Sequence, residues 1–437
     1  MRLPAVVPRS RLLAAAALSA YAMLVCSTCG ATPSSRPAAR DSTTTRAFTA
    51  VGGAPAATAP TAPTAAEGPA SCAETVAATL GEIAQRIYRE AGSGGNVEQA
   101  VHRLQSSTSL RAAASAGDAR ATAAALRSLL AGQIARVQVL RGGRVLASAG
   151  SGTAIAPVTG SLPGTGGARF VLSVQSDRTY LQVTKQVTGA EVLLLSGTRR
   201  LAGTIAAPSG TTIPASGSLK VGPREFQVAS VGGAAYPSGA LRIVLLVPAG
   251  EIPACPSGIA QTRAAVLGRV GERIYEEEAH SPYVAATVRH MEADGAFRAA
   301  VAARDPAATR RAIIGFFAAH IHVVRVRVTV GGKLLYDLGG PHVLAPVAGT
   351  LRQGGRVIGR FLMAIQDDAG YLKLAHLFTG GQVLMRTGAT QVAGTLSPGP
   401  ASVPDRGTVS YRGRSYQAYS FTGTAFPSGA LRISLLF

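Results

Sequence analysis

The amino-acid sequence predicts an α+β protein made of two tandem copies of one helix-first domain with an antiparallel sheet. Residues 72–247 align with residues 255–437, at a constant offset of 187 from Leu80 to Leu130 and of 189–191 after small loop insertions. In each copy, apolar residues recur first at helical spacing and later at strand spacing. The repetition and the order of the two periodicities together predict this fold class.

The first segment of each copy has the pattern of a long amphipathic helix. Its apolar residues recur at intervals of four, three and four, which places them on one helix face: Val76, Leu80, Ile83 and Ile87. The second copy repeats the stripe at Leu267, Val270 and Ile274. Short helices are expected to continue to about residue 131 in the first copy and residue 318 in the second.

The rest of each copy has the pattern of strands. In "VRVRVTV" (324–330) the valines lie on one face and Arg325 and Arg327 on the other. The next segment, "GGKLLYDLGG", begins with a Gly-Gly pair that suits a hairpin turn. The remaining segments predict one sheet of five to seven strands per copy, with a short helix at "YLKLAHLFTGG": "RFVLSVQ", "EVLLLSG", "SLKVG", "REFQVAS" and "ALRIVLLVP".

One motif occurs almost unchanged at the end of both copies. "YPSGALRIVLL" spans residues 236–246 and "FPSGALRISLL" spans residues 426–436. Pro, Ser and Gly favour a turn, and the apolar run after them is typical of a central strand. We therefore predict that this motif is the turn and closing strand of the duplicated domain.

The N-terminal region predicts export. Residues 1–31 combine three arginines in "MRLPAVVPRSR" with fifteen uncharged residues in "LLAAAALSAYAMLVC", the pattern of a signal peptide, with cleavage after Ala31. Cys26 or Cys29 is an alternative lipid-anchor cysteine, although the residues before them fit such a site poorly. Residues 32–70 are rich in Ala, Pro, Thr and Ser and are expected to form a disordered stalk. The two copies then occupy residues 71–250 and 251–437, and no later stretch is expected to cross a membrane.

The charge of the chain favours anionic partners. Its formal net charge is +21, with 43 basic and 22 acidic residues, and such a balance suits acidic polymers, membranes or nucleic acid. No run of five or six basic residues and no interleaving of Arg with aromatic residues predicts a nucleic-acid groove. An alternative reading is that arginine is simply the common solvating residue of this chain.

The segments just described resemble those of Cache-type extracytoplasmic sensor domains. The resemblance rests on the long first helix, "GGKLLYDLGG" as the first hairpin, "GRVIGRFLMAIQDDAGYL", and "TGAEVLLLSGTRRLAGT". It implies a PAS-like sheet behind the N-terminal helix, in both copies. The sequence shows no signature of the amino-acid-sensing members, and no kinase, cyclase or chemoreceptor module is expected after the second copy. The implied protein acts through a partner or as a binding protein.

Two cysteines and two histidines are candidates for covalent or metal chemistry. Cys72 and Cys255 each precede the first helix of a copy, and export permits a disulfide between them. Such a bridge would restrict the unfolded chain by about 5 kcal/mol; unpaired thiols or a shared metal site are the alternatives. His320 and His322 lie on one face of a predicted strand start, but no third ligand is spaced to complete a metal site, so we predict no metal.

Polar residues that recur in both copies, together with Arg327 and Tyr336 near Arg325, are the candidate ligand-binding residues. An Arg on the outer sheet face can hold a carboxylate or phosphate with two hydrogen bonds. The candidates are Arg136, Arg325, Arg327, Tyr336, Gln366, Asp368 and Tyr371. Asp368 and Tyr371, like Asp177 and Tyr180, also suit a helix cap followed by a packed ring.

These observations predict a secreted or envelope-associated, non-enzymatic, sensor-like or solute-binding protein. Its partner would be a small anionic solute or an envelope protein, and no cofactor is expected. The alternative is a basic envelope or adhesion protein that binds an anionic cell-wall polymer without a small-molecule pocket. A hydrolase is a third class, although the sequence contains no G-x-S-x-G, S-x-x-K or H-E-x-x-H motif.

Overall fold

The computed structural model describes residues 71–130, 134–206, 212–251, 258–319, 323–341 and 343–437. The predicted signal peptide and stalk, Cys255, His320 and His322 lie outside these residues. The Cys72–Cys255 bridge therefore stays a prediction, although Cys72 itself lies at the start of the first helix.

The α+β class and the helix-first order are confirmed in both repeats. The first repeat contains α1 (Cys72–Ser93), α2 (Gly95–Ser106), α3 (Thr108–Ala116), α4 (Ala119–Leu129), β1 (Arg136–Arg141), β2 (Arg144–Gly150), β3 (Ala154–Ile155), β4 (Val158–Ser161), β5 (Arg169–Ser173), β6 (Gln175–Ser176), α5 (Asp177–Thr188), β7 (Glu191–Ser196), β8 (Arg199–Gly203), β9 (Ser216–Val221), β10 (Arg224–Tyr236) and β11 (Gly239–Pro248).

The second repeat follows the same order. It contains α6 (Ile259–His280), α7 (Pro282–Ala293), α8 (Gly295–Ala302), α9 (Pro306–Ala319), β12 (Arg325–Val330), β13 (Lys333–Gly339), β14 (Val347–Gln353), β15 (Arg356–Ala364), α10 (Asp368–Thr379), β16 (Gln382–Thr387), β17 (Thr390–Gly394), β18 (Arg406–Tyr411), β19 (Arg414–Thr424) and β20 (Ala430–Leu436).

Each repeat distributes its strands over two sheets, where the sequence suggested one. A four-stranded sheet has the order β2-β1-β5-β4 in the first repeat and β13-β12-β15-β14 in the second. The larger sheet has the order β6-β3-β10-β11-β7-β8, with β9 on β10, in the first repeat and β17-β16-β20-β19-β18 in the second. Periodicity identifies strand residues but not the partners of each strand. In the chain, the short helix α10 separates the strands of the two sheets, whereas α5 lies between β6 and β7 of the larger sheet.

The repeated PSGALRI motif forms a turn and a central strand, as predicted. β11 lies between β10 and β7, and β20 lies between β19 and β16. The peptide bonds Tyr236–Pro237 and Phe426–Pro427 are both cis. Ile243 and Ile433 of these strands are fully buried, which accounts for the uninterrupted apolar run in the sequence.

The first helix of each repeat packs on the larger sheet of that repeat. A capping box at Ser71 and Glu74 starts α1, with a 2.7 Å hydrogen bond from the Ser71 backbone to the Glu74 carboxylate. Tyr180 donates a 3.0 Å hydrogen bond to the Ala84 carbonyl of α1. Tyr371 makes the equivalent 3.0 Å bond to Gly271 of α6. The same anchor therefore holds the first helix in both repeats.

The two repeats share one hydrophobic core. The largest cluster of buried residues contains Ile83 and Ile87 of α1 together with Val270 and Ile274 of α6. At the edge of this shared core, Arg263 and Glu82 form a two-pronged ion pair with distances of 2.7 and 2.8 Å. The first helices consequently bury their apolar faces partly against each other.

Two equivalent arginines cross between the repeats in opposite directions. Arg86 of α1 donates a 2.9 Å hydrogen bond to the Phe378 carbonyl in the last turn of α10. Arg273 of α6, its counterpart at an offset of 187, donates to the Thr188 carbonyl at the end of α5. Helix C-termini carry partial negative charge and unpaired carbonyls, so each arginine stabilises a helix of the other repeat.

A buried carboxyl group distinguishes the second repeat. Glu278 lies in the last turn of α6 and is 6% exposed, whereas Ala91 stands at the equivalent position in the first repeat. Burial, together with the negative charges of Glu277 and Asp367, raises the pKa of Glu278 to about 8. Burial also raises the pKa of Glu277.

We expect the cross-repeat arginines to contribute measurably to stability. Replacing Arg273 with Met keeps an unbranched apolar chain but removes the hydrogen bond and the cation at the negative end of α5. The free energy of unfolding in urea should fall by about 1 to 2 kcal/mol, and Arg86→Met should act similarly on α10. Arg89→Met, an exposed control on α1, should change it by less than about 0.5 kcal/mol. Equal stability of the Arg273 and Arg89 variants would contradict the assignment.

The raised pKa of Glu278 predicts a loss of stability as the pH rises. Between the ordinary value of 4.5 and the folded value of about 8, the folded state binds more protons than the unfolded state, so ionisation at higher pH favours unfolding. Glu278→Gln keeps the side chain neutral. Its melting temperature should exceed that of the unchanged protein by a margin that grows by about 2 °C or more from pH 5 to pH 8. Glu98→Gln, at an exposed position, should show no such trend; a constant margin for Glu278→Gln would refute the prediction.

Candidate functional site

The predicted arginine site of the second repeat is occupied by the protein's own carboxylate. Arg325 donates from Nε and Nη2 to the two oxygens of Asp337, at 3.1 and 2.9 Å. Arg327 Nη1 lies 3.6 Å from the same carboxylate, and the Arg325 guanidinium stands 4.3 Å from the ring centre of Phe426. These contacts join the four-stranded sheet to the turn before β20. The guanidinium of Arg325 therefore makes its contacts within the protein.

The structure separates Tyr336 from the two arginines. Tyr336 and Asp337 are successive residues of β13, and successive side chains of a strand face opposite sides of the sheet. Asp337 lies on the face of Arg325, so Tyr336 points to the other side, where it packs against the core of the second repeat. The three residues therefore do not form one pocket.

The first repeat keeps one arginine of this group and lacks the other charges. Arg136 stands 5.2 Å from the ring centre of Tyr236 and donates a hydrogen bond to the Gly152 carbonyl. Gln138 and Ser148 occupy the positions of Arg327 and Asp337 in the strand register. The recurring arginine thus joins the sheet to the same turn in both repeats.

The candidates around α10 make contacts that support the local fold. The hydroxyl of Tyr371 is fully buried against Gly271, and the Asp368 carboxylate accepts the Val343 backbone N–H at 3.0 Å. The cap of α10 is Asp367, the residue before Asp368. Gln366 is 6% exposed, and its Nε2 has no hydrogen-bond partner among the described residues.

A cleft of about 880 Å³ lies at the turn end of the second four-stranded sheet. Its volume falls within the range of about 300 to 1,000 Å³ typical of small-molecule sites. The walls come from the end of α8, the β12–β13 turn and the β14–β15 hairpin: Ala302, Arg304, Thr329, Val330, Gly331, Gly332, Gln353, Arg356, Val357, Ile358, Gly359 and Arg360.

The charge of this cleft is uniformly positive. Its lining includes Arg304, Arg356 and Arg360 and no acidic residue. None of these three guanidinium groups forms an ion pair within the part of the chain that the structure describes. A guanidinium can donate two parallel hydrogen bonds to a carboxylate or phosphate. The cleft therefore places three arginines in one lining, where their guanidinium groups can serve an anion.

Arg304 occupies a backbone position that favours glycine. Its φ is 54°, in the left-handed region, and the equivalent residue in the first repeat is Gly117, with φ 72°. Both residues end a helix through the same pair of backbone bonds: Arg304 to Val301 and Asp305 to Ala300, or Gly117 to Ala114 and Asp118 to Ala113. A side chain costs about 1 kcal/mol in this conformation. The backbone conformation favours glycine, so the presence of an arginine at this position requires another explanation.

This cleft is not evident from the amino-acid sequence. The segment from Leu80 to Leu130 aligns without a gap, so the replacement of Gly117 by Arg304 was visible in the alignment. The presence of Arg304, Arg356 and Arg360 in one cleft was not visible there, because it depends on the packing of α8 beside the β14–β15 hairpin. Within the described residues, no group of three or more His, Cys, Asp or Glu side chains is arranged to hold a metal ion.

Comparison with known proteins gives one structural match. No protein-family model and no curated protein matches the chain. Among solved structures, the periplasmic domain of LuxQ from Vibrio cholerae matches 40% of this chain and 98% of its own length, at 9% sequence identity and a TM-score of 0.24. At this score the match carries no argument about function. Among the described residues, no helix is both long and apolar enough to span a membrane.

The conformation of Arg304 predicts that Arg304→Gly stabilises the fold. Glycine adopts a positive φ without the steric penalty of a side chain, so the free energy of unfolding in urea should rise by about 1 kcal/mol. Ala303→Gly, one residue earlier at φ −71°, should lower it by about 0.5 to 1 kcal/mol. Destabilisation by Arg304→Gly would show that the Arg304 side chain makes a stabilising contact of its own.

Proposed function

We propose that this chain is an exported, non-enzymatic, sensor-like binding protein that recognises a small anionic solute in the cleft of the second repeat. The observation that carries the proposal is the presence of Arg304, Arg356 and Arg360 in the lining of one cleft that has no acidic lining residue. Export rests on the N-terminal sequence pattern. The proposed site consists of these three arginines. It does not include Arg325 and Arg327, which the sequence had suggested, because Asp337 already pairs with both.

The arrangement favours a solute with more than one negative charge. The three arginines come from three places in the chain, which are the end of α8, the first residue of β15 and the middle of β15. Like charges repel each other, so three arginines in one lining favour the binding of an anion that neutralises part of their charge. Di- and tricarboxylates or phosphorylated solutes have the charge and hydrogen-bond geometry that this set can bind.

The lining supports binding rather than catalysis. Apart from the arginines, its polar side chains are those of Thr329 and Gln353. No pair of lining residues provides a nucleophile beside a general base. The positive charge therefore serves recognition in this proposal.

A titration calorimetry experiment with the full chain tests the proposal. Citrate and pyrophosphate are suitable probes, and sorbitol is a neutral control. Arg356→Gln and Arg360→Gln should each weaken binding of at least one of the two probes about tenfold or more, because each removes charge-assisted hydrogen bonds. Arg127→Gln, at an exposed position of the first repeat, should leave the dissociation constant unchanged.

The same titrations distinguish a small-solute site from a polymer-binding surface. The site predicts saturable binding of a small probe that persists at moderate salt, since several close contacts hold it. Binding of polyglutamate only, falling steeply as sodium chloride rises and insensitive to both cleft variants, would overturn the proposal in favour of a basic envelope protein.

A further inference from the structure

A second, smaller cleft occupies the corresponding corner of the first repeat. Its volume is about 280 Å³, just below the range of about 300 to 1,000 Å³ for common ligand sites. It is formed by the β1–β2 turn, the start of β5 and the neighbouring β4: Leu140, Gly142, Gly143, Thr159, Gly167, Arg169, Phe170 and Val171.

The two corners correspond residue by residue but differ in chemistry. Arg169 pairs with Leu140 in the first repeat as Arg360 pairs with Thr329 in the second, so Arg169 is the counterpart of Arg360. The other two arginines have no counterpart here. Gly117 stands in place of Arg304, and residues 162–168 form a loop where the second repeat has the tight hairpin before Arg356.

The lining of the smaller cleft is apolar around a single positive charge. Leu140 and Val171 lie on the face of the sheet opposite the buried Val139 and Phe170, because side chains alternate along a strand. Both are only partly buried, so they offer apolar surface to a ligand. Arg169 is exposed and forms no ion pair within the described residues.

Glycines keep the mouth of this cleft open. Gly142, Gly143 and Gly167 have φ values of 58°, 76° and 94°, and a methyl group added at any of them would meet nothing within 4 Å. The backbone there can be approached closely by a bound molecule, and the positive φ values disfavour side chains that would close the mouth.

We propose that the first repeat binds a small solute with one negative charge and an apolar body, such as an aromatic or short branched monocarboxylate. Arg169 pairs with the carboxylate, and Leu140 and Val171 pack against the apolar body. The volume of the cleft excludes large ligands, and its single arginine disfavours the multiply charged anions proposed for the second repeat. This inference stands on different residues from the proposed function and does not depend on it.

Titration of the full chain with phenylacetate tests the inference, with 2-phenylethanol as a neutral probe of similar shape. Arg169→Gln should weaken phenylacetate binding about tenfold or more. It should leave any weak binding of 2-phenylethanol unchanged. Arg360→Gln, the matched control at the equivalent position of the second repeat, should leave phenylacetate binding unchanged.

A second variant keeps the test decisive if Arg169→Gln does not fold. Thr159→Phe fills the cleft from an exposed position of β4 and should abolish phenylacetate binding while leaving citrate binding intact. The inference is overturned if phenylacetate does not bind, or if neither variant weakens it. It is also overturned if Arg360→Gln weakens phenylacetate as much as Arg169→Gln does, because the solute would then occupy the second repeat.

Discussion

The packing of α1 against α6 is the constraint on which the rest of the structure depends. Each helix lies on the larger sheet of its own repeat and buries the remainder of its apolar face against the other helix. The reciprocal contacts of Arg86 and Arg273 then fix α10 and α5 relative to the opposite repeat. The short helices in turn hold Tyr180 and Tyr371 against the first helices. The first helices, the short helices and the larger sheets are therefore positioned by one symmetric interface.

Much of the fold could be predicted from the sequence because its determinants are local. The stripe from Val76 to Ile87, the alternation in β12 and the repeated turn before β11 and β20 are all patterns within short windows. The division of the strands into two sheets could not be predicted in this way. It depends on which strands pair across long intervals, and β4 and β14 carry too few apolar residues to be recognised alone.

The predicted binding residues show why a site is harder to infer than a fold. Arg325 was singled out by its residue type and its outward position, but Asp337 across the strand pair satisfies it. The sequence shows that a residue is charged, but it does not show whether another residue of the same protein already pairs with that charge. A difference between the two copies is the stronger indication of a binding residue. Arg304 stands where the first repeat has Gly117, and its backbone conformation disfavours a side chain, so its presence requires another reason.

The internal symmetry has a consequence for how the two clefts can differ. In a homodimer with a twofold axis, every substitution appears on both sides, so one cleft cannot acquire arginines while the other stays apolar. Here the peptide chain joins the two halves, and the pairing of α1 with α6 holds whatever happens at the far corners. Because the two halves are parts of one chain, a substitution in one half does not appear in the other. A single molecule can present two unlike surfaces on an otherwise duplicated frame.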